Sequence, residues 1–189
     1  MTTTTTKPKT KYDGLLSPFL RNRRLAVARP HLRGRVLDVG CAEGHLAASV
    51  DPSRYVGVDL DDDILVEARA AHPEHVFVGV DELDEGETFD TVAALAVIEH
   101  VPDPDDWLRG WAEHLVAGGR VVVTTPYDRY EPVHGLAARL RLTSDEAHDE
   151  HETTFDRESL EGLFGRAGLT PTTYRRFLLG LNQLAVATR

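Results

Sequence analysis

Cysteine is almost absent from the sequence, since Cys41 is the only one among 189 residues. No disulfide can form within the chain, which favours a reducing compartment, and we predict a cytoplasmic protein. No apolar run approaches the roughly 20 residues of a membrane-spanning helix, so we expect no membrane contact. The polar residues 1–10 lack the apolar core of a secretory signal and are interpreted as a disordered tail. Residues 11–189 have the length of a single domain.

An excess of positive charge is also missing, because the formal net charge is −10 at pH 7. This balance argues against nucleic acid as a partner. The charge is unevenly distributed: residues 1–35 hold nine Lys and Arg and one acid, whereas residues 36–189 hold twelve and thirty. We favour a solvated basic face for the first segment. The alternative is that Arg21, Arg23 or Arg24 contacts an anionic group of a ligand.

A glycine turn within residues 35–48 organises the rest of the chain. The apolar run 36–39 is typical of a buried strand in a parallel sheet, and it ends at Gly40. Gly44 follows, and the Leu-Ala-Ala after it predicts a helix. A strand, a tight turn and a helix form a unit that presents backbone N–H groups to a ligand.

The residues of this turn exclude two common ligands. A dinucleotide turn needs glycine at the positions that Ala42 and His45 occupy, so a nicotinamide-dependent oxidoreductase is disfavoured. The Gly-Lys-Ser/Thr of a phosphate-binding loop is absent. The carboxylates of Asp38 and Glu43 would repel a pyrophosphate, but they suit a ligand that carries an ammonium and a sulfonium group.

Two further predicted strands, 55–59 and 76–81, each end in an acid. Asp59 lies 59 − 40 = 19 positions after Gly40. This is close to the spacing of about 20 residues at which an acid binds a ribose diol in nucleotide-binding units. The acids at 61–63 are typical of a helix N-cap and first turn, and they predict a helix to about Ala71.

The segment Val-Leu-Asp-Val-Gly-Cys-Ala-Glu-Gly at 36–44 resembles the first motif of class I S-adenosylmethionine (SAM) methyltransferases, in particular the small ubiquinone-pathway-like domains. The family usually has glycine where this chain has Ala42, so either φ is negative there or the turn is altered. The resemblance implies an α/β fold: a doubly wound, mostly parallel seven-stranded sheet with an antiparallel last strand and helices on both faces. It implies SAM as the cofactor, with Asp81 accepting from the adenine amino group. The cofactor-binding residues that it implies are Asp38, Gly40, Ala42, Gly44, Asp59, Leu60, Asp81, Glu82 and Ala96.

Turn residues and periodicity predict the remaining elements. Ser17-Pro18, Asp103-Pro104 and Asp156 are typical helix starts. The predicted elements are a helix from Ser17 toward Pro30 across the opening of the cofactor site, a strand at 89–96, a helix from Asp103 through Leu115 that Gly118-Gly119 ends, a strand at 121–126, a helix from Asp156 to Gly168, and strands at about 172–179 and 182–188.

Residues 127–155 follow a strand that ends at the ligand-binding edge, so we predict that they form the acceptor side of the domain. The alternative is a solvated connection. The predicted substrate-binding residues are Tyr127, Tyr130, His134, His148 and Asn182. Histidine suits a base that works near neutral pH, and we predict His151 first and His100 second as catalytic residues.

Glu99-His100 resembles part of the Glu-x-x-Glu-His pattern of ubiquinone-pathway O-methyltransferases and small-RNA ribose methyltransferases. The first Glu of that pattern falls on Ala96, and Mg²⁺ prefers oxygen ligands, so we predict no metal site. The predicted function is methyl transfer from SAM to a small-molecule acceptor at oxygen. The alternative is a module that holds SAM without catalysis or assists another biosynthetic enzyme.

Overall fold

Seven strands form one sheet within residues 17–127 and 153–189, the part of the chain that the computed structural model describes. They are β1 (Val36–Val39), β2 (Tyr55–Asp59), β3 (Val76–Gly79), β4 (Phe89–Leu95), β5 (Leu115–Pro126), β6 (Thr170–Phe177) and β7 (Asn182–Thr188). Their order is β3-β2-β1-β4-β5-β7-β6, and β7 runs antiparallel to both of its neighbours. The prediction of a doubly wound sheet with an antiparallel last strand is confirmed.

The described residues contain four α-helices that cover both faces of this sheet. They are α1 (Ser17–Ala28), α2 (Asp62–Ala71), α3 (Pro104–Glu113) and α4 (Arg157–Arg166). On one face, Leu108 of α3 and Leu160 of α4 are fully buried in the same core cluster. On the other face, Leu25 of α1 and Leu65 of α2 share a second cluster. The sheet is therefore the middle layer of a three-layer sandwich.

The helix starts agree with the sequence because aspartate caps are local signals. The Asp61 side chain accepts hydrogen bonds from two backbone N–H groups of the first turn of α2. Asp103 accepts from Asp106 N at the start of α3, and Asp156 accepts from Ser159 N at the start of α4. The predicted bounds of β2 and the predicted end of α2 at Ala71 are also confirmed.

The helix that was predicted after the glycine turn is wrong. Between β1 and β2 the structure has turns and two short 3₁₀ helices, Ala47–Ser49 and Pro52–Arg54. Hydrogen bonds there reach back three residues, as from Ala47 N to Gly44 O. Pro52 has no N–H with which to continue an α-helix. The ligand-binding edge therefore presents the backbone of a loop, residues 40–46, which we call the glycine loop.

Several other boundaries differ from the prediction: β5 begins at Leu115, β6 spans Thr170–Phe177, and α4 ends at Arg166. Helix α3 ends at Glu113, since the buried Leu115 pairs with Phe89 as the first residue of β5. Gly118, predicted to end the helix, has φ +76 and lies inside β5, where the pairing with β4 shifts register. Strand β3 ends at Gly79, and the next three residues form a 3₁₀ turn that contains Asp81.

Helix α1 runs from the carboxyl edge of the sheet toward its middle. At the edge, Arg24 Nε donates to Asn182 Oδ1 at 3.1 Å, and Asn182 lies opposite Pro126 in the pairing of β7 with β5. Further along the helix, Ala28 packs in one cluster with Val122 of β5. The first turns of α1 therefore extend past the edge on which the strand ends lie, as predicted for a helix across the site.

Two alanines that follow strand ends have left-handed backbone, Ala42 with φ +46 and Ala96 with φ +63. A Cβ in this region costs about 1–2 kcal/mol. The sequence left open whether φ at Ala42 is negative or the turn altered, and the structure shows a positive φ. Gly44 has φ +77, and a Cβ there would lie 2.7 Å from Phe77 Cζ.

Two substitutions in the glycine loop should therefore have opposite effects. Ala42→Gly should raise the free energy of unfolding by about 1 kcal/mol, because glycine adopts positive φ without the Cβ clash. Gly44→Ala should lower it by about 3 kcal/mol, since it adds backbone strain to a clash with Phe77. Urea denaturation of both variants beside the wild type measures the difference. Equal stability of all three proteins would contradict the geometry of the loop.

Candidate active site

The carboxyl ends of the parallel strands lie along one edge of the sheet, and the chain leaves β1 and β4 toward opposite sides. Such a divergence opens a crevice in which α/β sheets bind ligands. Gly40 and Val97 meet there, since a Cβ on Gly40 would lie 2.6 Å from Val97 Cγ2. Only glycine lets the two loops approach so closely.

The glycine loop is held in place by the end of β2. Gly40 N and Cys41 N both donate to Val58 O, at 2.9 and 3.1 Å. Ala42 N donates to Asp59 Oδ2 at 2.9 Å, and Asp61 N donates to Asp59 Oδ1 at 3.2 Å. A carboxylate has about four lone-pair positions, so Asp59 can still accept further hydrogen bonds. One acid thus fixes the loop and remains available to a ligand.

Beyond Asp59, the edge of the sheet offers an apolar surface and two acids. The Leu60 side chain is 88% exposed although it is large and apolar. Asp81 is exposed and follows β3, and with Trp107 and Trp111 of α3 it lines a cavity of about 700 Å³. The Glu82 carboxylate accepts from Gly79 N at 2.9 Å, so this side chain stabilises the turn in which Asp81 lies.

Asp38 differs from the other acids of the edge because it is buried, with 4% exposure. Its Oδ2 accepts a hydrogen bond from the Tyr55 hydroxyl at 2.7 Å. Burial raises the pKa of Asp38 to about 7, against the effect of the Tyr55 hydrogen bond, and the negative charge of Asp59 raises it further. Burial also raises the pKa of Tyr55, which therefore stays a hydrogen-bond donor at neutral pH. Asp38 lies beneath the glycine loop, and near neutral pH its carboxyl group is only partly ionised.

Gly44 has a packing role in the structure. It is buried, and the atoms that an added Cβ would meet belong to Phe77 and His72. These two rings form an aromatic cluster with Tyr55 and His75. The glycine therefore lets the end of the glycine loop lie directly on this cluster.

The basic face of α1 is only partly solvated. Arg23 is exposed, as predicted, but Arg24 is half-buried and bonded to the buried Asn182. The preferred prediction of a solvated face is thus wrong for Arg24, because the antiparallel β7 begins at this edge and presents an amide to it. Arg21 is half-buried as well, and its charge adds to burial in lowering the pKa of His45 in the glycine loop.

Of the residues predicted for the acceptor side, the structure describes Tyr127, Asn182 and His100. Tyr127 is half-buried beneath the guanidinium of Arg176, whose Cζ lies 3.6 Å from the ring centroid. His100 is exposed and ends a short 3₁₀ helix after β4. Tyr130, His134, His148 and His151 lie outside the described residues, as do residues 1–16 and with them the predicted tail.

Gln183 on β7 joins the two described ends of the predicted acceptor segment. Its Nε2 donates to Pro126 O at 2.8 Å and to Phe155 O at 2.7 Å. Its Oε1 accepts from the Tyr174 hydroxyl at 2.9 Å. Tyr127 and Phe155 also form a parallel bridge. One buried amide therefore fixes both points at which the chain leaves and rejoins the sheet.

Residues 17–127 and 153–189 contain no group of three or more His, Cys, Asp or Glu side chains arranged to hold a metal ion. None of their helices combines the length and the apolar character that crossing a membrane requires.

Comparison with known proteins identifies the domain. A family model described as a methyltransferase domain matches residues 12–174. The chain belongs to this methyltransferase family. Its activity class and its cofactor, S-adenosylmethionine, are those that the resemblance implied. This methyltransferase is 29% identical over 171 residues to the ubiquinone biosynthesis O-methyltransferase of Ruegeria pomeroyi, which covers 83% of this chain and 68% of the relative. It spans about half the length of two such relatives from Aliivibrio fischeri.

Solved structures show the same fold. The methyltransferase superposes with a TM-score of 0.71 on a putative methyltransferase of Haloferax volcanii in complex with the Trm112 activator, at 15% identity over 92% of this chain and 95% of that one. The magnesium protoporphyrin IX methyltransferase of Synechocystis, with bound S-adenosylhomocysteine, gives a TM-score of 0.64 at 17% identity over 91% and 82% of the two chains. At these identities the likeness shows the fold alone.

Three residues around the candidate site were not predicted from the sequence. Tyr55 was assigned only to a strand, Gln183 to no role, and Glu99 only to an incomplete metal pattern. Each gains its importance from a partner far along the chain, as Tyr55 does from Asp38. The sequence held one local signal of a polar site here, the pair Thr124-Thr125. Two hydroxyl side chains at the end of a buried apolar strand need polar partners nearby.

The raised pKa of Asp38 predicts how stability changes with pH. Between pH 3.8 and about 7 the folded protein keeps this proton, whereas the unfolded chain has released it. The free energy of unfolding should therefore fall as pH rises through this window, by up to about 4 kcal/mol from this group. Asp38→Asn should remove that fall, while the exposed Asp81→Asn should keep it. Urea denaturation of the ligand-free proteins at pH 5 and pH 8 compares the three, and an unchanged pH slope in Asp38→Asn would disprove the assignment.

Proposed function

We propose that this domain transfers the methyl group of SAM to a hydroxyl group of a small-molecule acceptor. The proposed cofactor placement rests on the Asp59 carboxylate, which holds the glycine loop and can still accept further hydrogen bonds. The choice of oxygen and of a small molecule rests on the relatives, which are named ubiquinone biosynthesis O-methyltransferases.

The residues at the edge of the sheet fit SAM in shape and in charge. Gly40 leaves backbone open where a Cβ would fill the crevice. Asp59 can accept from both hydroxyls of a ribose, and the exposed Leu60 offers an apolar surface beside it for the adenine ring. Asp81 lies where an adenine amino group can donate to it. Ala42, Gly44, Glu82 and Ala96 contribute the backbone of the surrounding loops, and Asp38 provides negative charge for the ammonium group.

When bound, SAM supplies a methyl group on a positively charged sulfur, which leaves as a neutral thioether. The chain's own contribution is mostly orientation, because holding donor and acceptor in line replaces a collision in solution. The positive φ of Ala96 turns the chain at the end of β4, beside Gly40. We propose that this turn sets the boundary between the cofactor and the acceptor.

A hydroxyl acceptor must lose its proton as its oxygen is methylated. We propose that His100 or His151 receives this proton. Each comes in the sequence after a strand that ends at the carboxyl edge, β4 or β5, and histidine as a residue type suits a base that works near neutral pH. Tyr127, Tyr130, His134, His148 and Asn182 are proposed to contact the acceptor. We propose no metal requirement, because Ala96 occupies the position of a carboxylate ligand in the related pattern.

Removal of the Asp59 side chain should weaken cofactor binding selectively. Asp59→Ala should reduce the affinity for S-adenosylhomocysteine by about tenfold to a hundredfold, because hydrogen bonds to a charged group contribute about 1.5–3 kcal/mol. Isothermal titration calorimetry measures the affinity, and thermal unfolding without ligand reports the loss of the bond to Ala42. Asp63→Ala, in the first turn of α2, is the matched control. Unchanged affinity in Asp59→Ala would sink the proposed placement.

Turnover can be tested with a panel of phenols, catechols, amines and thiols, using SAM labelled in its methyl group and mass spectrometry of the products. We expect methylation of hydroxyl compounds, retained in EDTA. His100→Gln should bind S-adenosylhomocysteine normally and lose at least tenfold in turnover if His100 is the base. Loss of turnover in EDTA with recovery on Mg²⁺ would refute the metal-free proposal. Binding of SAM without turnover of any acceptor would support the non-catalytic alternative.

A further inference from the structure

The carboxyl edge contains a buried polar cluster beside the proposed cofactor site. Glu99 is 4% exposed and Thr125 is 1% exposed. In the described part of the chain, neither Glu99 Oε2 nor Thr125 Oγ1 has a partner in hydrogen-bond geometry. Buried polar atoms of this kind are rare in native structures because leaving them unpaired costs free energy. Two neighbouring ones indicate that a ligand group supplies the missing hydrogen bonds.

The backbone places this cluster next to the point where the donor's methyl group is expected. Ala96 N donates to Thr124 O at 2.8 Å, so Thr125 follows immediately beyond the end of β4. Glu99 lies in the short 3₁₀ helix Ile98–His100, just after the Val97 that faces Gly40. The cluster is therefore on the β5 side of the crevice, away from Asp59 and Leu60 on the β2 side. This is the acceptor side.

The charges around Glu99 narrow the chemistry of the ligand. Burial raises the pKa of Glu99 above its usual range, and a backbone hydrogen bond, the nearby positive charges of Arg24 and His100 and the hydroxyl of Thr125 oppose this rise only in part. Arg24 itself is positioned by its bond to Asn182. A carboxyl oxygen accepts a hydrogen bond from a hydroxyl in either protonation state, whereas a cation brought to the same place would be repelled by the arginine.

We propose that Glu99 Oε2 and Thr125 Oγ1 bind the hydroxyl group of the methyl acceptor, and that Arg24 makes this site select neutral or anionic hydroxyl compounds over amines. The acceptor enters from the side of the exposed His100. In the bound acceptor the hydroxyl donates a hydrogen bond to Glu99, which leaves a lone pair of its oxygen free to face the crevice. When that oxygen is methylated, the proton is released to His100 or His151, as proposed above. This inference rests on the proposed transfer to oxygen and names the residues that recognise it.

The test uses three probes: 3,4-dihydroxybenzoate, its dimethyl ether 3,4-dimethoxybenzoate, which has no hydroxyl, and dopamine, which keeps both hydroxyls but carries a cation in place of the carboxylate. Each probe is titrated calorimetrically into protein saturated with S-adenosylhomocysteine. The wild type should bind the dihydroxybenzoate at least tenfold more tightly than the dimethyl ether, since the loss of one hydrogen bond corresponds to about that ratio. It should also bind the dihydroxybenzoate more tightly than dopamine, because the charge of Arg24 repels the cation. Equal binding of the three probes by the wild type overturns the inference.

Variants of Glu99 and Thr125 test whether these two residues cause the preference for hydroxyl compounds. Glu99→Gln and Thr125→Val should each reduce the hydroxyl-over-methoxy preference at least threefold, whereas Thr125→Ser should retain it. Arg24→Gln should reduce the preference over dopamine. Glu67→Gln, on the exposed surface of α2, is the matched control, and every variant should keep its affinity for S-adenosylhomocysteine within threefold. Should Glu99→Gln fail to fold, the pair of Thr125 variants still decides the outcome.

The results separate this inference from the proposed function. If Glu99→Gln and Thr125→Val keep the full preference of the wild type while hydroxyl compounds are still methylated, the cluster does not bind the acceptor and the function stands. If the wild type binds dopamine more tightly than the dihydroxybenzoate, the selection ascribed to Arg24 is overturned. If it methylates only amines, transfer to oxygen fails together with the cluster's role.

Discussion

The hydrogen bond from Ala42 N to the Asp59 carboxylate connects the two halves of the proposed cofactor site. It ties the glycine loop after β1 to the end of β2, and Val58 O accepts two more bonds from the same loop. These three contacts hold Ala42 at a φ that alanine normally avoids. Local backbone strain persists only where the surroundings determine the conformation in this way. Because the loop is fixed before any ligand arrives, the crevice between it and Val97 is preformed.

A second consequence concerns the acids of the edge. Asp59 and Asp81 reach solvent, whereas Asp38 is buried and accepts a hydrogen bond from the Tyr55 hydroxyl. Acids at three neighbouring strand ends thus have different environments, although they look alike in the sequence. The edge of the sheet can therefore offer a ligand both exposed carboxylates and a buried carboxyl group.

Local signals explain how much of the fold could be predicted from the sequence. Aspartate caps at Asp61, Asp103 and Asp156 start helices through bonds within the first turn, so they can be read without the tertiary structure. The acids at strand ends could also be predicted, because each directly follows an apolar run in the sequence. Short apolar runs predicted the parallel strands, and the resemblance supplied their order.

The errors arose where distant residues decide the structure. Leu115 leaves the helix pattern because Phe89, on another strand, offers it a buried position. The segment after Gly44 had helix-forming residues but too little chain before Pro52 and β2. The sequence could not show which of the three candidate arginines is held at the edge, since the partner of Arg24, Asn182, lies 158 residues away. The orphaned oxygens of Glu99 and Thr125 are likewise visible only once the sheet edge is assembled.

The bonds made by Gln183 have a consequence for the stability of the domain. Since its amide joins Pro126 and Phe155 directly, the sheet receives the same anchor points whatever lies between them. The entropy cost of closing a loop grows only slowly with its length, by about 0.6 kcal/mol for each doubling. A change in the number of residues between the two anchors should therefore cost the domain little stability, as long as Gln183 keeps its bonds to both.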